Sequence, residues 1–137
     1  MIKISKNNIE YANIINFNEI ESSKFLSKTS DSFQIGYFNC NTPKKVLAHK
    51  HIKTKKTIND TYEIIYILRG SCEVTFFDKN DKKICSRTVK KNSAVVTKFG
   101  GHSYKFFKNC RFIEIKQGPY YGEKKDKIYI WYPFQDL

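Results

Sequence analysis

Residues 62–69, YEIIYILR, end at Gly70, residues 72–77, CEVTFF, continue beyond it, and the reading of this pair decides the fold. β-Branched and aromatic residues dominate both runs, and Gly70 punctuates them, so both read as strands. Alternate side chains of a strand share a face, which places Glu63, Ile65 and Ile67 together. Working outward, Asp78-Lys79-Asn80-Asp81 is a hairpin turn by its chemistry, because Asp and Asn tolerate turn backbones, and residues 84–89 return from it. Residues 94–98, 102–107 and 111–117 supply three more strands, separated by Gly100-Gly101 and by Lys108-Asn109, and His102, Tyr104 and Phe106 share a face. Residues 128–132 are a further candidate. Upstream, residues 32–39 and 46–52 read as strands with a break at Asn41-Thr42-Pro43. The loose helical spacing of residues 17–26 behind Asn16, a capping residue, predicts one short N-terminal helix. Many short strands without a long helical crossover predict an all-β antiparallel sandwich or barrel.

At 137 residues the chain is expected to form one domain with its own core. Its expected parts are an N-terminal extension (1–30), a barrel core (31–120) and a C-terminal strand and tail (121–137). No long apolar run or leader pattern is present, so neither a membrane span nor a signal peptide is expected, and a cytoplasmic location is. Cys40, Cys72, Cys85 and Cys110 lie far apart without a C-x-x-C pair, which favours reduced thiols over a disulfide frame or a zinc knuckle. The formal charge of +12 invites a nucleic-acid partner. Yet the arginines are Arg69, Arg87 and Arg111 alone, and the lysines scatter beside turn residues. Base readout prefers arginine, so no specific nucleic-acid binding is expected. Attraction of a phosphorylated small molecule is the better use of the charge. The absence of G-x-S-x-G, P-loop and Rossmann glycine patterns closes those enzymatic routes.

His49 and His51 stand one residue apart, so in a strand their side chains project to one side with Cα atoms about 6.5–7 Å apart. A carboxylate and a third imidazole on strands about 4.8 Å away could complete a metal shell at about 2.0–2.2 Å. Glu63 and His102 are the candidates. Neutral imidazoles with a carboxylate suit Fe, Mn, Ni or Zn alike, and Glu63 could instead orient a histidine from outside the shell. Glu114 and Lys116 share a strand face; they are either a rim ion pair or groups that contact substrate and move a proton. Gln117-Gly118-Pro119-Tyr120 reads as a turn that ends the strand, with Tyr120 placed to hydrogen-bond a sugar hydroxyl. Trp131 and Phe134 read as apolar anchors for the C-terminus.

These residues resemble the cupin superfamily, whose first signature runs Gly-x5-His-x-His-x3–4-Glu-x6-Gly and whose second centres on Pro-x-Gly followed by His. The chain carries His49-Lys50-His51, then Glu63 and Gly70 at the signature spacing, then Gly100-Gly101-His102. It departs with Pro43 at the opening Gly, a longer connection from His51 to Glu63, and Lys98 in place of the Pro. Residues 49–127 are also similar to a narrower cupin group of bacterial sugar and surface-polysaccharide gene clusters. The shared phrases are Thr61-Tyr62-Glu63-Ile64-Ile65-Tyr66-Ile67, Gly100-Gly101-His102, Ile113-Glu114-Ile115-Lys116-Gln117-Gly118-Pro119-Tyr120 and Asp126-Lys127. The resemblance implies a jelly-roll barrel, a homodimer and a divalent metal ion on His49, His51, His102 and Glu63. It also implies an isomerase- or epimerase-type step on a nucleotide sugar, with Glu114, Lys116 and Tyr120 as catalytic candidates. Two alternatives stay open: a non-catalytic module that binds a small ligand, and a metal-free nucleotide-sugar ketoisomerase.

Overall fold

The computed structural model describes residues 1–131. Strands β1 (Ile2–Lys6) and β2 (Ile9–Asn16) form a hairpin closed by Asn7-Asn8, both at positive φ. Two successive left-handed residues give a turn whose twist matches that of paired strands, and asparagine tolerates this conformation. The N-terminal thirty residues are therefore part of the scaffold, and Ile4, Tyr11, Ala12 and Ile14 sit in the core. The predicted helix is reduced to one 3-10 turn, Phe17–Glu19, capped by Asn16, whose side chain accepts from the Asn18 N–H at 3.1 Å. Phe17 stacks on Tyr37 and tilts against Tyr66, with centroids at 6.2 and 5.7 Å, and these contacts hold the segment in a bend rather than a helix.

The short ribbon β3 (Lys24–Phe25) and β4 (Gly36–Tyr37) replaces the rest of that helix and most of the strand predicted over 32–39. After a long irregular segment come β5 (Glu63–Arg69), β6 (Ser71–Phe77), β7 (Lys83–Lys90), β8 (Ser93–Thr97), β9 (Gly101–Phe106), β10 (Arg111–Lys116) and the four-residue helix α1 (Glu123–Asp126). All pairings are antiparallel. One sheet has the order β1-β2-β8-β5-β10 and the other β7-β6-β9; no sheet closes into a barrel. Gly70, at φ +74°, lies where the chain leaves the first sheet for the second. The core draws Ile65, Ile67, Val95 and the N-terminal residues from one sheet and Cys72, Val74, Phe76 and Val89 from the other. The run SAVVT of β8 is buried throughout, as expected of a strand with partners on both edges.

Two predicted strands are absent. Residues 46–52 have no regular structure, and Val46, Leu47 and Ile52 are 70, 75 and 90% exposed. Residues 128–131 are irregular as well, and Trp131 is exposed, so it anchors nothing; Phe134 lies outside the described residues. Ile130 is the residue that packs back, its Cδ1 lying against Gly101. The four cysteines are free thiols. Among the described residues no helix is long and apolar enough to cross a membrane.

Lys98, at the end of β8, ties the loop between β3 and β4 to the sheet. Its Nζ lies 2.7 Å from Glu10 Oε1 and 2.9 Å from Asp31 Oδ2, and the three side chains are largely shielded from water. Lys98→Met leaves the shielded Asp31 carboxylate without its cation and Glu10 with Lys28 alone at 3.4 Å, and a loss of about 2–3 kcal/mol is expected in urea unfolding, below the range for a fully enclosed pair. Burial alone would push the Glu10 carboxyl up. Hydrogen bonds from Lys98 and Asn13 and the charges of Lys98 and Lys28 outweigh it and hold the group at about 2, against an ordinary 4.5. A depressed carboxyl stabilises the fold above the unfolded value and loses that contribution as pH falls toward the folded one. The urea midpoint should therefore fall from pH 4.5 to 2, and Glu10→Gln should flatten that fall; equal slopes in both proteins would refute the assignment.

Candidate functional site

Two edge strands lie side by side at one flank of the molecule, β9 from the smaller sheet and β10 from the larger. Phe106 and Phe112 bridge them as parallel stacked rings with centroids 4.0 Å apart. Along β9 the ring series continues inward, Phe106 to Tyr104 at 5.5 Å and Tyr104 to His102 at 5.3 Å, which is the one-face alternation of a strand made visible. On the facing sheet the register sets Lys116 opposite Glu63 and Glu114 opposite Ile65. Residues paired across a ladder point to the same side, so Glu63, Glu114 and Lys116 share the core-facing side. The start of β5 is locked to the end of β10 by the Tyr62 N–H, which donates to the Gln117 side-chain oxygen at 2.7 Å.

Between the sheets, His102 Nε2 donates to Glu63 Oε1 at 3.1 Å. Burial would raise the Glu63 carboxyl, but the hydrogen bond from His102 and the charges of His102, Lys116 and Lys127 outweigh it, so the group is a carboxylate held below its ordinary value. Lys116 Nζ lies 2.7 Å from Asp126 Oδ2, 3.9 Å from Glu114 Oε1 and 4.9 Å from the centre of the Tyr120 ring. The hydrogen bond to Asp126 leads in raising the Lys116 ammonium, and it remains charged. Tyr104 is the residue that sequence reasoning passed over. Its hydroxyl is buried with no hydrogen-bond partner among the described residues. Burial, followed by the charges of Glu63, Cys72 and Glu114, pushes its ionisation up, so it is a neutral phenol with an unused donor beside the dyad. Its sharing of a face with His102 was the available signal.

The sequence-predicted residues thus fall into two groups. Glu63, His102, Glu114, Lys116 and Tyr120 gather on the β9–β10 flank. His49 and His51 lie on the irregular segment, exposed, with ring centroids 5.3 Å apart and His49 Nδ1 donating to the Leu47 carbonyl at 2.9 Å. No cluster of three or more side chains able to hold a metal is present among the described residues. A cavity of about 640 Å³ opens elsewhere, lined by Asn16, Asn18, Tyr66, Lys90, Lys91 and Asn92 among others. None of its lining residues is a carboxylate, thiol or imidazole. No family description matches the chain, and no curated protein or solved structure matches it.

Proposed function

We propose that the chain is a cupin-type jelly roll that holds one divalent ion with Glu63, His102, His49 and His51, and that it isomerises or epimerises a keto sugar carried on a nucleotide. The observation that carries this reading is the Glu63–His102 contact at 3.1 Å, its carboxylate buried and its imidazole partly so, beside an unpaired phenol and the Glu114–Lys116 pair. Two donors each about 2.1 Å from one ion, at a right angle, stand about 3.0 Å apart, so this pair fits two neighbouring positions of a metal shell. When bound, the ion would act as a Lewis acid toward a substrate carbonyl.

The chain's own groups do the rest. Glu63 holds His102 through Nε2 before an ion enters; with the ion bound, both groups would be ligands and the Nε2 proton would have left. Tyr104 donates its free O–H to a sugar oxygen. Glu114, which is 45% exposed at the side chain, takes the proton from the carbon next to the carbonyl and in an isomerisation returns it to the carbonyl carbon; in an epimerisation the opposite face takes its proton from water. Lys116, pinned by Asp126, faces the negative charge that develops on oxygen, and surface lysines meet the diphosphate. A homodimer is part of this proposal, with Ile113 and Ile115 on the outer surface of β10, both exposed, as its contact. A second reading has its own support: a carboxylate-oriented imidazole is already a complete acid–base dyad, which a metal-free ketoisomerase would use directly.

The test is metal analysis of untagged protein purified without added ions, followed by titration with Mn, Fe(II), Ni and Zn. One ion per chain is expected, with affinity lowered at least about 100-fold in His102→Ala, since even groups behind the ligands cost 10–100-fold. Protein that binds none of these ions yet exchanges the sugar α-proton with solvent replaces this reading by the metal-free one.

A further inference from the structure

Behind the larger sheet, on the face turned away from Glu63 and His102, lies the cavity of about 640 Å³. Alternation along β5 places it there. Ile65 and Ile67 enter the core, so Tyr66 and Leu68 project to the opposite side, where they line the cavity. The turn from β7 to β8, residues 90–93, and the two asparagines at the end of β2, Asn16 and Asn18, supply the other lining groups. We infer that this cavity is a second binding site, for a small molecule that carries a phosphate group.

The wall formed by the turn is held from three directions. Asn92 stands at φ +61°; the Lys91 and Asn92 N–H groups donate to the Gly70 and Ile67 carbonyls at 2.9 Å each, and the Asn92 carbonyl accepts from the Phe17 N–H at 3.0 Å. Side chains continue the bracing. The Tyr66 hydroxyl donates to Asn92 Oδ1 at 2.7 Å, and Asn92 Nδ2 donates to Asn18 Oδ1. Both carboxamide oxygens are thus engaged, and the Asn18 amide and one N–H of Asn92 stay without a partner among the described residues. Asn16 is engaged elsewhere, its amide donating to Glu19 at 2.8 Å.

Lys90 and Lys91 add two ammonium groups that form no ion pair among the described residues. Free donors and two positive charges, with no acid in the lining, select a dianion. A phosphate monoester brings a charge of about −1.5 to −2 and three acceptor oxygens, where a carboxylate brings a single charge. The space is larger than a phosphate needs and matches small-molecule sites, roughly 300–1,000 Å³. Tyr66 and the half-exposed Leu68 offer apolar contact to the rest of the ligand.

The inference is independent of the metal reading, because the larger sheet separates the two sites. Its test is calorimetric titration of the full chain with inorganic phosphate, phenyl phosphate and glucose 1-phosphate, at about pH 8, where phosphate esters are dianions. One equivalent per chain is expected, with at least one ester bound about tenfold more tightly than phosphate. Lys90→Gln and Lys91→Gln should each weaken that ester about tenfold, the loss of a charge-assisted hydrogen bond. Asn92→Gly keeps the positive-φ backbone while deleting the carboxamide, and should weaken it about 2–10-fold. Two controls separate this site from other sources of attraction. The double variant Lys55→Gln, Lys56→Gln removes two charges from the irregular segment, and Lys116→Gln removes the flank's ammonium; both should bind the ester as the parent does. Weakening by the Lys55, Lys56 pair equal to that of Lys90→Gln would mean diffuse attraction to a chain of charge +12 and overturns the inference. So does weakening by Lys116→Gln while Asn92→Gly binds normally, which would move the phosphate to the flank, and so does a chain that binds none of the three probes at about 10 mM.

Discussion

Glu114→Gln is expected to lower turnover of a keto nucleotide sugar by about 10²–10⁴-fold, the usual contribution of a positioned acid–base group, while leaving affinity for a divalent ion unchanged. The separation follows from placement. Glu114 lies opposite Ile65 on β10, two positions from the Lys116–Glu63 pair, and touches Lys116 at 3.9 Å rather than His102. The amide keeps the shape and the contact but cannot take a proton. His49→Ala and His51→Ala should behave differently and lose ion and turnover together, because each removes a donor and leaves the others poorly placed. Calorimetric titration of the ion beside steady-state kinetics distinguishes the two patterns. Full turnover by Glu114→Gln would return Glu114 and Lys116 to a simple rim ion pair, and full turnover by the histidine variants under chelation would favour the metal-free dyad.

Gly100→Ala should be the most destabilising single-methyl change in this region, by about 2–5 kcal/mol. Gly100 has φ +70°, where an L side chain costs about 1–2 kcal/mol. An added Cβ would also stand 2.3 Å from the Phe77 carbonyl oxygen and 2.8 Å from Tyr11 Cδ1. The carbonyl belongs to the ladder that pairs Phe77 with Gly101, so relief means disturbing β6 and β9 together, an overpacking cost of about 1–3 kcal/mol. Gly101→Ala offers the contrast. Its Cβ would meet the end of the Ile130 side chain, which can turn away, and a loss under about 1 kcal/mol is expected. Urea unfolding of both variants measures the difference; equal losses would refute the account. The Gly-Gly-His triplet thus joins a backbone requirement to a site residue, and His102 is delivered to Glu63 by the turn that Gly100 permits.

The strands that were legible in sequence are those with strong alternation and clear punctuation. The strands read at 62–69 and 72–77, the Asp78 turn and the three downstream strands form within a residue or two of those bounds, because each combines β-branched residues with a Gly, Asn or Asp that turns the chain. Alternation also placed Glu63 and His102 on inward faces, and the gathering of Glu114 and Lys116 beside them follows from the same period of two. Local spacing misled at residues 17–26, where three-to-five spacing suggested a helix. Phe17 instead spends its ring on Tyr37 and Tyr66, partners distant in sequence that no local pattern reveals. The β1–β2 hairpin was missed for a related reason: its Asn7-Asn8 turn was present in the sequence, but the partner of β2 is β8, about eighty residues away.

From sequence alone came the all-β class, the positions of the downstream strands, and the residue types able to bind an ion or move a proton. Each depends on side-chain chemistry and on a period that the backbone imposes locally. Tertiary structure alone decided that β1 and β2 belong to the larger sheet, that Tyr104 holds an unused hydroxyl beside the dyad, and that Lys98 joins Glu10 to Asp31. It also decided that Glu63 and His102 meet while His49 and His51 stand apart from them. Such facts turn on which edges pair and which groups are enclosed. Edge pairing is settled by competition among many compatible strands for buried area and ladder hydrogen bonds across the whole chain, and a period of two, shared by every strand, cannot encode its outcome.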